Sequence, residues 1–184
     1  MAKTHKTLAM RVLDGKSVAY EVVEFPDSIH DAIGVAEHSG LPAQAVYKTL
    51  VVQVLDPSTG HPLKAAKPVL VMVAAGRSLD LKKMAAGLGV KKAAMARQVD
   101  AERLTGLKVG GISALALLNR GFRIFLDRQA ILLDWIVVSA GERGLNLRLK
   151  VDDLIAVTGA GLLDVSQPDE QTAATLPQVD TNTL

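Results

Sequence analysis

The chain contains no cysteine in its 184 residues. That absence removes disulfides, thiolate nucleophiles and cysteine-ligated zinc together. Aromatic side chains are also scarce, at 3% against 49% hydrophobic residues. The core must therefore be aliphatic, and extensive stacking on nucleic-acid bases is disfavoured. No run reaches the roughly 18 to 20 apolar residues that a membrane-spanning helix needs. The opening "MAKTHKTLAMRVLDGK" lacks the apolar stretch and small-residue cleavage site of a secretory signal. A cytoplasmic protein without a membrane partner is expected.

Other signatures are missing too. His5, His30, His38 and His61 show no H-E-x-x-H spacing, and His30 and His38 read as ordinary helix-surface residues. No G-x-G-x-x-G follows a strand, and no G-x-S-x-G elbow surrounds Ser113 or Ser139. No metal and no cofactor are expected.

What is present is a mildly basic body with an acidic end. From Gly161 onward Asp164, Asp169, Glu170 and Asp180 stand without a Lys or Arg, leaving 15 acids against 21 bases, or +6, for residues 1–160. Such a body suits a polyanionic partner without demanding one. "LKK" and "VKKAAMAR" cluster Lys82, Lys83, Lys91, Lys92 and Arg97, for which a solvated face is the default explanation over an RNA-facing patch. The length suits one well-buried domain. The expected division is a single domain over 1–165 and an acidic, flexible tail over 166–184, where periodicity disappears.

Elements alternate without internal repeats. Residues 4–14 read as a helix with Thr4 as cap, and Ser17 to Phe25 as a strand. Ser28, with Asp31 three residues on, is placed to cap a helix that Gly40 ends. Strands follow at Ala45 to Leu55 and Pro68 to Gly76, able to pair as a hairpin. Ser78 is expected to cap a helix with an apolar stripe of Leu81, Met84, Ala85 and Leu88, stopped by Gly89. A short helix ends at Gly106. Strands at Phe122 to Leu126, Trp135 to Ser139 and Leu145 to Lys150 precede a last helix over Val151 to Val157. Several strands adjoin in sequence, so an α+β domain with a curved, largely antiparallel sheet fits.

Within "AVYKTLVVQVL" one residue is out of place. Period two puts Val46, Lys48, Leu50, Val52 and Val54 on one face, and Tyr47, Thr49, Val51 and Gln53 on the other. The more apolar row thus contains a lysine. Either its stem covers core-edge surface while the head reaches water, or the row lines a pocket and Lys48 offers three donors to a carbonyl or phosphate. Gly110 and Gly111 in "KVGGISAL" form either a tight bend or a loop whose N–H groups meet an oxyanion. Gly141 and Gly144 in "VSAGERGLNL" suit a strand-to-strand turn, with Ser139 and Asn146 at its shoulders.

In this order, "VYKTLVV", "SLDLKKMAAGLGVKKAAMA", "TGLKVGGISAL" and "IVVSAGERGLNL" closely resemble the YbaK family of trans-acting aminoacyl-tRNA deacylases, relatives of the editing domain inserted in bacterial prolyl-tRNA synthetases. The resemblance spans roughly Val18 to Val157. It implies a single α+β domain with a barrel-like mixed sheet flanked by helices. It implies release of wrongly attached amino acids, in the YbaK branch cysteine on proline tRNA, without a metal or a protein nucleophile. Lys48, Gly110 and Gly111 carry over as catalytic groups, with Phe25, Tyr47, Thr49, Ile112, Ser113, Ser139 and Asn146 as substrate-binding residues. The implied partners are the 3′ end of aminoacyl-tRNA and prolyl-tRNA synthetase.

Three positions depart from the family pattern: Leu107 replaces an aromatic, Ala114 a proline and Asn146 an acid. They bear on which amino acid is removed. The alternatives are deacylation of alanyl- or seryl-tRNA by water attack, and a non-catalytic module binding tRNA ends or a synthetase.

Overall fold

Residues 5–169 are described by the computed structural model, so the expected cap Thr4 lies outside them. Helix α1 (Leu8–Gly15) instead starts at Thr7, whose hydroxyl accepts from Met10 N–H. Its apolar side buries Ala9, Met10 and Leu13. Strand β1 (Glu21–Glu24) is shorter than expected, and Ser17 before it adopts a positive φ.

Helix α2 (Ala32–Ser39) is capped by Asp31 rather than Ser28, with the carboxylate accepting from Gly34 N–H at 2.8 Å. Helix α3 (Leu81–Leu88) is capped by Asp80 rather than Ser78, through Lys82 and Lys83 N–H at 2.9 and 3.0 Å. Serine and aspartate are both good caps, so local sequence leaves the choice open. Pairing decides it for α3, because Ser78 belongs to strand β4 (Arg77–Leu79).

The lysine strand is β2 (Tyr47–Val54), and it pairs antiparallel with the fully buried β3 (Val69–Ala74), as the hairpin reading expects. Strand β5 (Ala93–Met95) and helix α4 (Gln98–Thr105) follow, then β6 (Arg123–Asp127). A hairpin of β7 (Trp135–Glu142) and β8 (Leu145–Lys150), helix α5 (Val151–Thr158) and strand β9 (Gly161–Leu163) come next. The last described element is β10 (Ser166–Pro168).

These strands form a five-stranded sheet in the order β5-β2-β3-β6-β9, a three-stranded β1-β8-β7 sheet and the β10-β4 pair. Only β3–β6 and β6–β9 pair in parallel, so the mixed, largely antiparallel α+β reading stands. The expected barrel does not close. The larger sheets meet at one isolated bridge, Val46 to Val137. Both faces of the five-stranded sheet are covered. Tyr47, Val51, Leu70 and Met72 enter one cluster, while Val52, Val69, Val71 and Met84 enter another.

Strand pairing continues past residue 165. Ser166, Gln167 and Pro168 pair with Leu79, Ser78 and Arg77, and Ser166 is only 1% exposed. Its hydroxyl donates to the buried Asp127 carboxylate at 2.7 Å and accepts from Arg77 Nε. Asp127 also accepts from Val165 N–H at 3.1 Å. A buried carboxylate without partners would be costly, and the start of the supposed tail supplies these. The rest of the expected tail lies outside the described residues.

Candidate active-site pocket

Strand β2 has two halves. Val52, Gln53 and Val54 have β3 or the following loop on one side and β5 on the other. Tyr47, Lys48, Thr49 and Leu50 pair with β3 only. Their free edge opens into a cavity of about 430 Å³. This is why residues of both parities, from Tyr47 to Val51, line the same space.

Lys48 is half-buried there, with its ammonium 3.4 Å from the Ala75 carbonyl oxygen. Burial pushes its pKa down from the ordinary lysine value, and the charges of Asp169 and then Asp31 oppose that shift. Thr49 and Tyr47, two residues apart on the other row, each present a buried hydroxyl with no hydrogen-bond partner among the described residues. Tyr47 is 2% exposed. Burial, then the charge of Asp127, raises its phenol pKa, so it stays a neutral donor. Buried polar groups are normally paired, and both residues that carry these orphaned hydroxyls line the cavity.

The opposite wall is the β7–β8 hairpin. Ser139 and Asn146 stand directly across from each other in its register. The ladder shifts register between Ser139 and Glu142, and Ser139 Oγ accepts from Gly141 N–H at 3.2 Å. Phe25 closes one end, its N–H donating to the Gly144 carbonyl. The glycine loop forms another side through Val109, Gly110 and Ile112. Glu102 holds the Val109 N–H at 3.1 Å, and Arg143 Nε holds the Val109 carbonyl at 2.8 Å.

The cavity thus gathers Phe25, Tyr47, Lys48, Thr49, Gly110, Ile112, Ser139 and Asn146, all expected site residues. Gly111 and Ser113 do not line it. The Gly111 N–H donates to the Lys108 carbonyl at 2.8 Å, and its Cα packs against the Glu142–Arg143 backbone. It is a close-approach glycine with its donor occupied. Ser113 is 1% exposed, and its hydroxyl accepts from Ala116 N–H at the turn that follows. Gly110 keeps a role only it can fill. Its φ is 91°, and a Cβ would lie 3.3 Å from the His30 backbone.

Several lining residues carried no signal in sequence. His30, read as helix surface, precedes α2 and faces the cavity, as do Asp31, Ala75, Met95, Gln98 and Asp169. Of the three departures from the family pattern, only Asn146 lines the cavity. Leu107 lines a separate recess beside α1, and Ala114 is buried in the core. No group of three or more metal-ligating side chains occurs among the described residues. No described helix is long and apolar enough to cross a membrane.

A model of the aminoacyl-tRNA editing domain matches residues 27–157. A protein of Enterococcus faecalis named "Putative Cys-tRNA(Pro)/Cys-tRNA(Cys) deacylase EbsC" is 32% identical over 163 residues, 88% of this chain and 93% of that protein. Among solved structures, the hypothetical protein APE2540 superposes with a TM-score of 0.75 at 22% identity, covering 87% of this chain and 99% of that one. A structure described as "a putative trans-editing enzyme for prolyl tRNA synthetase" gives 0.69 at 23% identity, covering 89% and 99%. At these identities the two structural matches speak for the fold.

Proposed function

The chain belongs to the aminoacyl-tRNA editing domain family, and from that membership we propose that it is a trans-editing deacylase that clears cysteine from proline tRNA. The observation that carries the reading is the free edge of β2, where Lys48 and the two residues with unpartnered hydroxyls, Tyr47 and Thr49, line one pocket. An aminoacyl ester is already activated. A protein that fixes its orientation and donates hydrogen bonds to the developing oxyanion lowers the barrier without a nucleophile of its own.

In this reading Lys48 donates to ester or phosphate oxygens at the tRNA 3′ end. Tyr47 and Thr49 hold polar atoms of the substrate beside it. The Gly110 N–H, on the cavity side of its loop, is the backbone donor, a role no longer shared with Gly111. Ser139 and Asn146 contact the amino acid from the hairpin wall. The substrate thiol loses its proton and attacks the ester carbonyl carbon. A C–S bond forms, the C–O bond to the ribose breaks, and the 3′ oxygen leaves with a proton. The products are a cyclic thiolactone and free tRNA.

Thiols ionise more readily than alcohols and are better nucleophiles near neutral pH. Cysteinyl-tRNA(Pro) should therefore be cleared at least about tenfold faster than seryl-tRNA(Pro) in single-turnover assays, with a trappable thiolactone. Comparable rates on seryl- or alanyl-tRNA would assign the step to water. No turnover on any mischarged tRNA would leave a non-catalytic binding module. The modest basic excess and few aromatics leave the isolated protein with weak tRNA selectivity. Prolyl-tRNA synthetase is the partner that supplies it, and adding the synthetase should sharpen discrimination among tRNAs carrying cysteine.

A further inference from the structure

Asp169 lines the pocket although it lies beyond the residues matched by the family model. Its backbone N–H donates to the Gly76 carbonyl at 3.3 Å, one step past the pairing of Pro168 with Arg77. The strand carrying it is anchored by the buried Ser166–Asp127 hydrogen bond. Its position is therefore set by the body of the protein. Asp169 and Lys48 line the same cavity, and the charge of Asp169 favours the Lys48 ammonium against its burial.

The other carboxylate lining the cavity, Asp31, is committed to capping α2 through Gly34 N–H. The Asp169 carboxylate has no hydrogen-bond or ion-pair partner among the described residues. Much of the remaining lining, including Phe25, Ile33, Val35, Val51, Met95 and Ile112, is apolar. With Asp31 held to the end of α2, a pocket whose only uncommitted charge was Lys48 would disfavour the one cation that every free aminoacyl ester can carry, the α-ammonium beside the reacting carbonyl. A carboxylate facing Lys48 across an apolar space receives that ammonium while Lys48 takes the oxygens, and so fixes which way round the ester lies.

We propose that Asp169, brought into the pocket by the C-terminal strand β10, is the substrate-binding residue that receives the α-ammonium of the aminoacyl group. The assignment rests on the deacylase reading and extends it to a segment outside the matched domain.

The test uses a non-hydrolysable probe, 3′-cysteinylamido-3′-deoxyadenosine, and its N-acetyl form, titrated by calorimetry into wild type, Asp169→Asn and Asp31→Asn, with a melting curve for each. Asn caps a helix about as well as Asp, so both variants should melt like wild type. Wild type should bind the free amine at least about tenfold more tightly than the acetylated probe, the scale of one charge-assisted hydrogen bond. Asp169→Asn should abolish that preference by weakening binding of the free amine alone, and Asp31→Asn should retain it. A preference absent in wild type, intact in Asp169→Asn, or lost instead in Asp31→Asn overturns the assignment. If wild type nevertheless clears mischarged tRNA, only this assignment falls. If it binds neither probe and clears no tRNA, the deacylase reading falls with it.

Discussion

Two clusters of buried polar groups sit on opposite sides of β3, and they are built to opposite rules. Around Asp127 every strong group is matched: Ser166 Oγ and Val165 N–H donate to the carboxylate, and Arg77 donates to Ser166. Around Lys48 the matching is left incomplete. Its ammonium has one long contact to a carbonyl, and the hydroxyls of Tyr47 and Thr49 have no partner. A satisfied network holds an element in place, here β10 against β4. An unsatisfied one gives up stability for donors that a ligand can use. Both clusters are polar, but Asp127 and Ser166 are fully buried and matched while Lys48 is half-buried and largely unmatched.

The comparison can be broken first at its satisfied side. Asp127→Ala leaves Ser166 Oγ and Val165 N–H without their acceptor. It should lower stability by about 3 kcal/mol in denaturant melts, the cost of orphaning donors to a buried charge. It should also reduce deacylation, because β10 carries Asp169 to the pocket. A melt within experimental error of wild type would mean that the network holds nothing.

Next comes the unsatisfied side. Lys48→Met keeps the stem but removes the ammonium, and should slow single-turnover deacylation about a hundredfold, as loss of an oxyanion-stabilising donor does. Its melting temperature should stay level or rise. Retained wild-type rates would return Lys48 to the role of a residue shielding the core edge. Tyr47→Phe, which deletes an orphaned hydroxyl, should raise stability by about 1 kcal/mol and cut the rate by about tenfold. A clear loss of stability would reveal a partner for the phenol in solution.

The smallest effect is a pH dependence. Because burial lowers the Lys48 pKa from 10.5, the folded protein binds that proton less readily than the unfolded chain. The penalty is present at neutral pH and disappears as pH rises through the folded-state value towards 10.5. The stability advantage of Lys48→Met should narrow over that alkaline range. A constant gap would mean that the ammonium is as well solvated folded as unfolded.

Legibility differs from residue to residue for physical reasons. Lys48 was visible because strand periodicity assigns faces from local sequence, and a charge on an apolar row breaks the pattern. Gly110 was visible as half of a glycine pair, but nothing in "GG" says which N–H is occupied. The Gly111 donor is taken by Lys108 three residues back, a turn choice that packing against Glu142 and Arg143 fixes. Ser113 looked like a site residue because it sits in the motif, yet its side chain turns into a cap. Asp169 was invisible. It lies in an acidic, aperiodic stretch, and its place depends on a carboxylate on β6.

Residue pattern by itself determined the aliphatic core, the α+β alternation, the β2–β3 hairpin and the anomalous lysine. These follow from periodicity, glycine stops and composition, which act over a few residues. Only the tertiary structure decided that the sheets would meet at Val46 and Val137 without closing, that β5 would stop short of Lys48, and that β10 would dock. Those outcomes depend on which distant segments reach a given strand edge, and on whether buried donors and acceptors there find partners. Local sequence encodes the faces of a strand, whereas the fate of its edges is settled by the whole chain.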